Sequence, residues 1–328
     1  MSTPPNLVIP ATPARLAILV APRALILYAA VLWSVSSVFL RVLGEPLGLG
    51  LDDPPLSPLL VAFYRGLFAG LALTPFLKRA DVRFRPAMLG MVLCFGVMSG
   101  LYLSSLGLGN AANAILLQNT APFWVYLAAV LLLGERPDSR GLQAVGLGLL
   151  GAAVIVAGNW PRGGGGASRG DVLVLTMALG SGVAYAGVIV SLRVLRDESS
   201  FWLSVLNLLG SAGVVGVYLW CHHGGRGFLD ALARPTGPQL AWIALFGVVQ
   251  MAAPYWLFST GLKHVRPQEA GVITLLEPIL NPLWAYLLVP AKETPTVWSL
   301  VGGAVMLAAL LRQYLPARAV PGPAGYSG

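Results

Sequence analysis

Charge is scarce in this chain: Asp, Glu, Lys and Arg make up 10% of its residues, where soluble domains carry about 25%. No polar stretch is long enough to fold by itself. The two longest, 159–170 and 222–239, are loop-sized and rich in Gly and Pro, so a soluble domain is excluded. Cysteine is nearly absent too. Cys94 falls in mid-span and Cys221 at a span end, which argues against a disulfide between them. Three histidines are present, and the adjacent pair His222 and His223 has no second ligand pair at metal spacing, so it reads as solvated. The run Gly163 to Gly166 lacks a following Gly-Lys-Ser/Thr and is a flexible loop, not a phosphate cradle. No metal or cofactor is expected.

Hydrophobic residues, at 56%, take the place of the missing charge. They fall into ten runs long enough to cross about 30 Å of hydrocarbon: 24–43, 58–77, 87–108, 112–133, 141–158, 172–192, 201–220, 240–262, 270–289 and 296–314. The chain therefore reads as an all-α integral membrane protein of ten transmembrane helices, with the lipid bilayer as its first partner. Residues 1–23, with five prolines, read as a disordered cytoplasmic tail and not as a signal helix, and 315–328 as a second tail.

Orientation follows from the Lys/Arg bias. With the N-terminus inside, fourteen basic residues fall on the cytoplasmic side and six outside (Arg41, Arg162, Arg169, Arg226, Arg234 and Lys292), leaving Arg65 within a span. Both termini are expected in the cytoplasm of a cell (inner) membrane protein. A net charge of +8 without aromatic-studded polar segments fits that rim, and no nucleic-acid partner is expected.

The two halves resemble each other. Leu40-Arg41-Val42-Leu43 recurs 152 residues later as Leu192-Arg193-Val194-Leu195, and Ala114, Pro122 and Leu106 recur 156 later as Ala270, Pro278 and Leu262. Five spans per half is an odd number, so the halves enter the membrane with opposite polarity. The expected domains are inverted five-helix repeats over 24–158 and 171–314, joined by the Gly-rich external loop 159–170.

The segment AANAILLQNTAPFWVYLAAVLLLGE, Ala111 to Glu135, resembles the fourth span of EamA-type members of the drug/metabolite transporter superfamily in its mid-span Pro122 and closing Leu133-Gly134-Glu135. LLEPILNPLWAYLL, Leu275 to Leu288, resembles the ninth, with its Glu277-Pro278. The resemblance covers about 24 to 314 and implies a ten-span carrier of small metabolites that works without a nucleotide-binding domain. The second half departs from the pattern: Pro282 and Pro290 are extra and the closing Gly-Glu is missing, so span 9 is expected to be kinked or broken.

Only two charged residues fall well inside a span, Arg65 and Glu277. A charge at the bilayer centre costs about 2.5 kcal/mol or more, so it is retained where it faces protein or water. Thr274, Glu277 and Asn281 share one helical face, and Pro278 and Pro282 free the carbonyls of 274 and 278 beside it. Those parts suit a cation, an amine or a proton, and equally a protonated acid acting as helix glue. Arg65 suits a substrate carboxylate, a partner such as Glu277, or snorkelling to the outer rim. Gln118 corresponds to Thr274 under the 156 offset, with Asn119, Pro122 and Tyr126 on an adjacent stripe. Span 8 adds Gln250, Pro254 and Trp256, and span 1 adds Trp33. Pro122, Pro254, Pro278 and Pro282 are the expected hinges. Spans 5 and 10 carry few polar side chains and read as scaffold or homodimer contact.

The leading function is a secondary carrier, an exporter of amino acids or related metabolites, alternating access around a central cavity with protons as one candidate for coupling. A membrane-embedded enzyme acting on lipid or prenyl chains is the alternative. It would need clustered Asp, His or Cys near one face, and the carboxylates other than Glu277 are scattered in loops.

Overall fold

The computed structural model describes residues 13–132, 134–160 and 169–315. Ten helices among them are long and apolar enough to cross a membrane: Pro22–Gly44, Pro58–Phe76, Ala87–Leu108, Ala111–Leu131, Ser139–Gly158, Gly170–Val194, Ser200–Ala233, Gly237–Gly261, Pro267–Leu288 and Val297–Tyr314, called spans 1 to 10. No strand occurs among the described residues. The chain is a multi-pass membrane protein built as two inverted five-helix repeats. One face carries the start of span 1 and the loops after spans 2, 4, 6 and 8, and is called the first face. The loops after spans 1, 3, 5, 7 and 9 lie on the second face.

Two expectations are corrected at the ends of spans. The helix of span 1 begins at Pro13, so residues 13–23 are helical and not a disordered tail, and Pro22 sits inside the helix. The expectation for residues 1–12, for most of the 159–170 loop and for 316–328 lies outside the described residues. Span 7 does not end near 220 but continues to Ala233, turning at Gly224 with φ of 71°, a left-handed value that glycine adopts without strain. The extra turns are held because Phe228 packs edge-on to Phe63 and the Tyr64 hydroxyl donates to the Leu232 carbonyl at 2.6 Å.

Four spans are interrupted in mid-membrane. Span 1 breaks at Val35, between helices Pro13–Ser34 and Ser36–Gly44. Span 4 breaks after Gln118 and restarts at Ala121, and span 9 breaks at Leu275, between Pro267–Thr274 and Leu276–Leu288. Span 8 widens into a π-helical turn over Val248–Ala252. The breaks in spans 4 and 9 are counterparts, since Asn119 plus 156 is 275. The interruptions in spans 1 and 8 have none, because spans 6 and 3 run on as single helices over Arg169–Val194 and Ala87–Leu108. Non-helical backbone at membrane depth persists only where protein or a wet cavity satisfies it, so these breaks mark the polar interior.

Prolines sit just after three of the interruptions: Pro122 and Pro254 open the restarted helices of spans 4 and 8, and Pro278 lies in the first turn of the second half of span 9. A proline there has no amide to leave unpaired. Pro282 lies inside that last helix.

Spans 5 and 10 meet through glycine. A Cβ on Gly302 would stand 2.5 Å from the Gly151 carbonyl, and one on Gly151 2.6 Å from the Gly302 carbonyl, whereas one on Gly146 would meet nothing within 4 Å. Gly302→Ala is therefore expected to cost about 1–3 kcal/mol through forced separation of the two helices. Gly146→Ala should be neutral or stabilising, and thermal unfolding of both variants in detergent checks the contrast.

Candidate functional site

Span 2 presents Arg65 to spans 3 and 8. The residue is 2% exposed, so it does not snorkel to the rim. Its fork donates to Ser99 Oγ at 2.8 Å and Gln250 Oε1 at 3.1 Å, and its guanidinium carbon lies 5.2 Å from the centre of the Phe246 ring. Gln250 turns its own amide to the Trp33 carbonyl at 3.3 Å, tying the π turn of span 8 to the break in span 1. Of the alternatives for Arg65, pairing with Glu277 in one conformation of the cycle is not the one seen: no carboxylate lies within ion-pair distance of Arg65 among the described residues, and its Nε has no partner there. Arg65 is a positive charge held entirely by neutral groups.

A second polar cluster joins the breaks of spans 1 and 9. Asn281, fully buried, donates to Ser36 Oγ at 2.7 Å and to the Tyr102 hydroxyl at 3.3 Å, while Ser37 Oγ donates to the Asn281 carbonyl at 2.9 Å. Trp284 Nε1 donates to Ser34 Oγ at 3.0 Å. Breaking span 1 at Val35 turns Ser36 and Ser37 to Asn281 and Ser34 to Trp284, an arrangement that a continuous helix would not present on one face.

Glu277 lies one turn before Asn281, in the first turn of the restarted helix. The exposed amides and the positive dipole end of that half-helix favour an anion there. Glu277 is half-buried, and no hydrogen bond or ion pair to it is formed among the described residues. Three tyrosines, Tyr102, Tyr185 and Tyr255, lie within its electrostatic reach, and Tyr102 and Tyr255 lie within that of Arg65 as well. Tyr255 stacks edge-on to Trp33 at 5.5 Å between ring centres. Tyr102 and Tyr255 therefore lie within reach of both the half-buried Glu277 carboxylate and the buried Arg65 guanidinium. The arrangement can hold a cationic or amine-bearing group at Glu277, or a proton in its place.

Other expected site residues fall elsewhere. Gln118 is buried near this interior and bonds Met98 Sδ at 3.3 Å, but Asn119 turns back to the Ile115 carbonyl and closes the first half of span 4. Thr274 likewise closes its own half-helix, through the Gly271 carbonyl. Tyr126 is at the first face, its hydroxyl donating to the Asp138 carbonyl at 3.0 Å, because the break turns the second half of span 4 away from the centre. Trp256 is 60% exposed on the surface, and its neighbour Tyr255, about 100° around the helix, takes the inward position. A crevice of about 370 Å³ between spans 1, 9 and 10, lined by aliphatic side chains such as Leu27, Ile279 and Leu311, offers no polar group.

Ser36, Ser99, Tyr102, Tyr185 and Trp284 were not singled out by sequence reasoning. Serine and tyrosine in an apolar span carry no charge signal, and only the break at Val35 shows why Ser36 meets Tyr102 and Ser34 meets Trp284. A larger omission lies on the second face. Arg41, counted among the external loop cations, is 2% exposed and forms a close ion pair with Glu293, itself 1% exposed. Arg41 also donates to the carbonyls of Leu106 at 2.8 Å and Gly107 at 3.0 Å, and to that of Gly109, while Glu293 Oε2 accepts from the Ala111 amide at 2.8 Å. The ends of spans 1, 3, 4 and 9 are thereby tied together. The closing acid of the second half is displaced by two residues rather than missing.

Asp138 caps span 5 on the first face by accepting from the Gly141 amide at 2.9 Å, a bond that holds its carboxyl below the usual carboxylate range. A depressed value means the cap contributes above the unfolded pKa of about 3.9 and fades as pH falls through the folded value. Asp138→Ala should lower the thermal midpoint at pH 7, with the difference from wild type shrinking toward pH 3 in the same scan.

A ten-span inverted repeat with interrupted central helices and a polar interior is matched by one family model, that of the EamA-like transporter family, over residues 23–157 and again over 169–312. The chain belongs to the EamA-like transporter family. Among its relatives, an uncharacterized transporter of Archaeoglobus fulgidus is 32% identical over 88% of this chain and 94% of its own length. A riboflavin transporter of Rhizobium johnstonii is 29% identical over 86% and 88%, and a pseudopaline exporter of Pseudomonas aeruginosa is 24% identical over 76% and 84%. A solved structure titled only as the crystal structure of a protein shares the fold, with a TM-score of 0.60 at 16% identity over 92% of this chain and all of that one. Within this EamA-like chain the relatives named as transporters agree with a non-enzymatic role. Among the described residues no group of three His, Cys, Asp or Glu is placed to hold a metal.

Proposed function

We propose that this EamA-like protein is a proton-coupled secondary transporter that exports amine-bearing small metabolites, such as amino acids, across the cell membrane. The first face is read as cytoplasmic, from the excess of Lys and Arg on it. The repeats 24–158 and 171–314 move against each other to alternate access to the space around Glu277. The observation that carries this reading is Glu277 itself: a half-buried carboxylate with no hydrogen-bond or ion-pair partner among the described residues, in the first turn after the break of span 9 and within electrostatic reach of Tyr102, Tyr185 and Tyr255. A structural acid used as glue would be bonded to a neighbouring helix.

An amine bound at Glu277 and a proton bound there exclude each other, so one group serves substrate and coupling ion in turn. The three tyrosines supply cation–π and apolar contacts for the remainder of the substrate. Relatives named for riboflavin and for pseudopaline fit a family in which such side chains set the substrate while the scaffold is shared. The test is flux of an amine, amino acid and nucleobase panel in proteoliposomes with and without an imposed pH gradient. Accumulation of an amine-bearing compound only with the gradient is expected, and a flat response across the panel in both conditions would end the reading.

A further inference from the structure

The ion pair on the second face has a counterpart. Span 1 corresponds to span 6 and span 9 to span 4, so the pair between the end of span 1 and the end of span 9, Arg41 with Glu293, maps onto a pair between the end of span 6 and the end of span 4. That pair is Arg193 with Glu135, 3.3 Å apart on the first face. Arg41 and Arg193 are the same residue of the repeated Leu-Arg-Val-Leu, and Glu135 and Glu293 are the closing acids of spans 4 and 9.

The two pairs differ in every other respect. On the second face both partners are buried, and Arg41 also draws in the carbonyls of Leu106, Gly107 and Gly109. On the first face the side chains of Arg193 and Glu135 are 51% and 55% exposed, and among the described residues Arg193 makes no hydrogen bond to the end of span 8. Lys263 there is the counterpart of Gly107, and Leu262 that of Leu106. One end of the molecule is sealed by this device, while at the other the pair is formed but stays exposed and unattached to span 8.

We infer that the two pairs are interchangeable gates: in the opposite state Arg193 and Glu135 become buried against the end of span 8 around Leu262 and Lys263, and the Arg41–Glu293 cluster opens. The inference rests on the alternating-access reading. Two packings of one repeated unit are close in energy because the repeats share a fold, and exchanging which copy is packed reverses the face that is open. Arg193 and Glu135 are then positioning residues for transport, acting through the end of span 8 and not through contact with substrate. Like-charge Lys263 beside an inward-turned Arg193 requires Glu135 to come with it.

The test uses the full chain with Cys94→Ala and Cys221→Ala, carrying Arg193→Cys with Lys263→Cys and, because that removes the guanidinium, a second reporter pair of Arg196→Cys with Lys263→Cys that retains it. Cross-linking by a short bis-maleimide is followed in membranes. Glu293→Gln in the second background should raise the cross-linking rate about tenfold by releasing the sealed face, and Glu135→Gln should lower it about threefold. Glu135 is a surface residue, so its variant folds and keeps the test valid if Glu293→Gln does not. Unchanged rates in Glu135→Gln, or a fall in Glu293→Gln, overturn the inference. Flux measured in parallel separates the two readings: unchanged cross-linking with intact gradient-driven flux removes only the gates, and the predicted shifts without flux of any compound retain the gates and remove the transport reading.

Discussion

Glu277→Gln is expected to lose gradient-driven accumulation altogether while still folding and inserting normally. The neutral amide keeps the volume and the acceptor oxygen but not the charge. A hydrogen bond to a charged group contributes about 1.5–3 kcal/mol, so affinity for an amine-bearing substrate should fall about 10- to 100-fold. The second consequence is more specific. With no titratable group left at the break of span 9, residual flux should become independent of the pH gradient, because nothing in the site carries a proton back. Initial rates across a range of external pH, for wild type and variant at matched protein density, show this as a curve that flattens. Glu277→Asp separates charge from reach, since it keeps the proton but withdraws the carboxyl by one methylene, and it should retain the gradient dependence at a lower rate.

Glu293→Ala is expected to be the most destabilising single change on the second face. It removes the closest carboxylate from Arg41, a guanidinium 2% exposed that keeps, among carboxylates, only Glu45 Oε1 at 3.8 Å, and leaves the Ala111 amide at the start of span 4 without its acceptor. Removing one member of a buried pair costs about 3–5 kcal/mol, because the remaining charge stays desolvated. Replacing both, Arg41→Met with Glu293→Leu, should cost far less, since apolar groups of similar size leave no charge behind. Thermal unfolding of the single and double variants in detergent measures the difference. If the single variant were as stable as wild type, the pair would be a surface contact and not a seal.

The legible part of this molecule was the part written in hydrophobicity. Ten spans and their duplication follow from run length and from short repeated motifs, because the bilayer imposes a length and the repeat imposes a register. Glu277 could be singled out because a carboxylate in mid-span has a cost that demands a reason. The break at Val35 was not legible: Trp33-Ser34-Val35-Ser36-Ser37 contains neither Pro nor Gly, and the interruption is stabilised by Asn281, Tyr102 and Trp284 from distant spans. Arg41 was misplaced for a related reason. Its position near a span end suits a snorkelling cation, and only the fold of the short helix Pro290–Glu293 brings a carboxylate over it. Tyr126 was assigned by a helical stripe counted through an unbroken span 4, which the interruption after Gln118 invalidates, and Trp256 by depth along the sequence, which says how far into the membrane a residue lies but not which way it faces.

The most direct measurement of the central claim is the internal pH of proteoliposomes loaded with a trapped indicator, recorded as an amine-bearing compound found in the flux panel is added outside with no pre-set gradient. Uptake through wild-type protein should move the internal pH, as each substrate entering displaces a proton outward from Glu277, and Glu277→Gln should abolish that movement. Substrate entry with no change in internal pH, or a change of equal size in wild type and Glu277→Gln, would contradict the account.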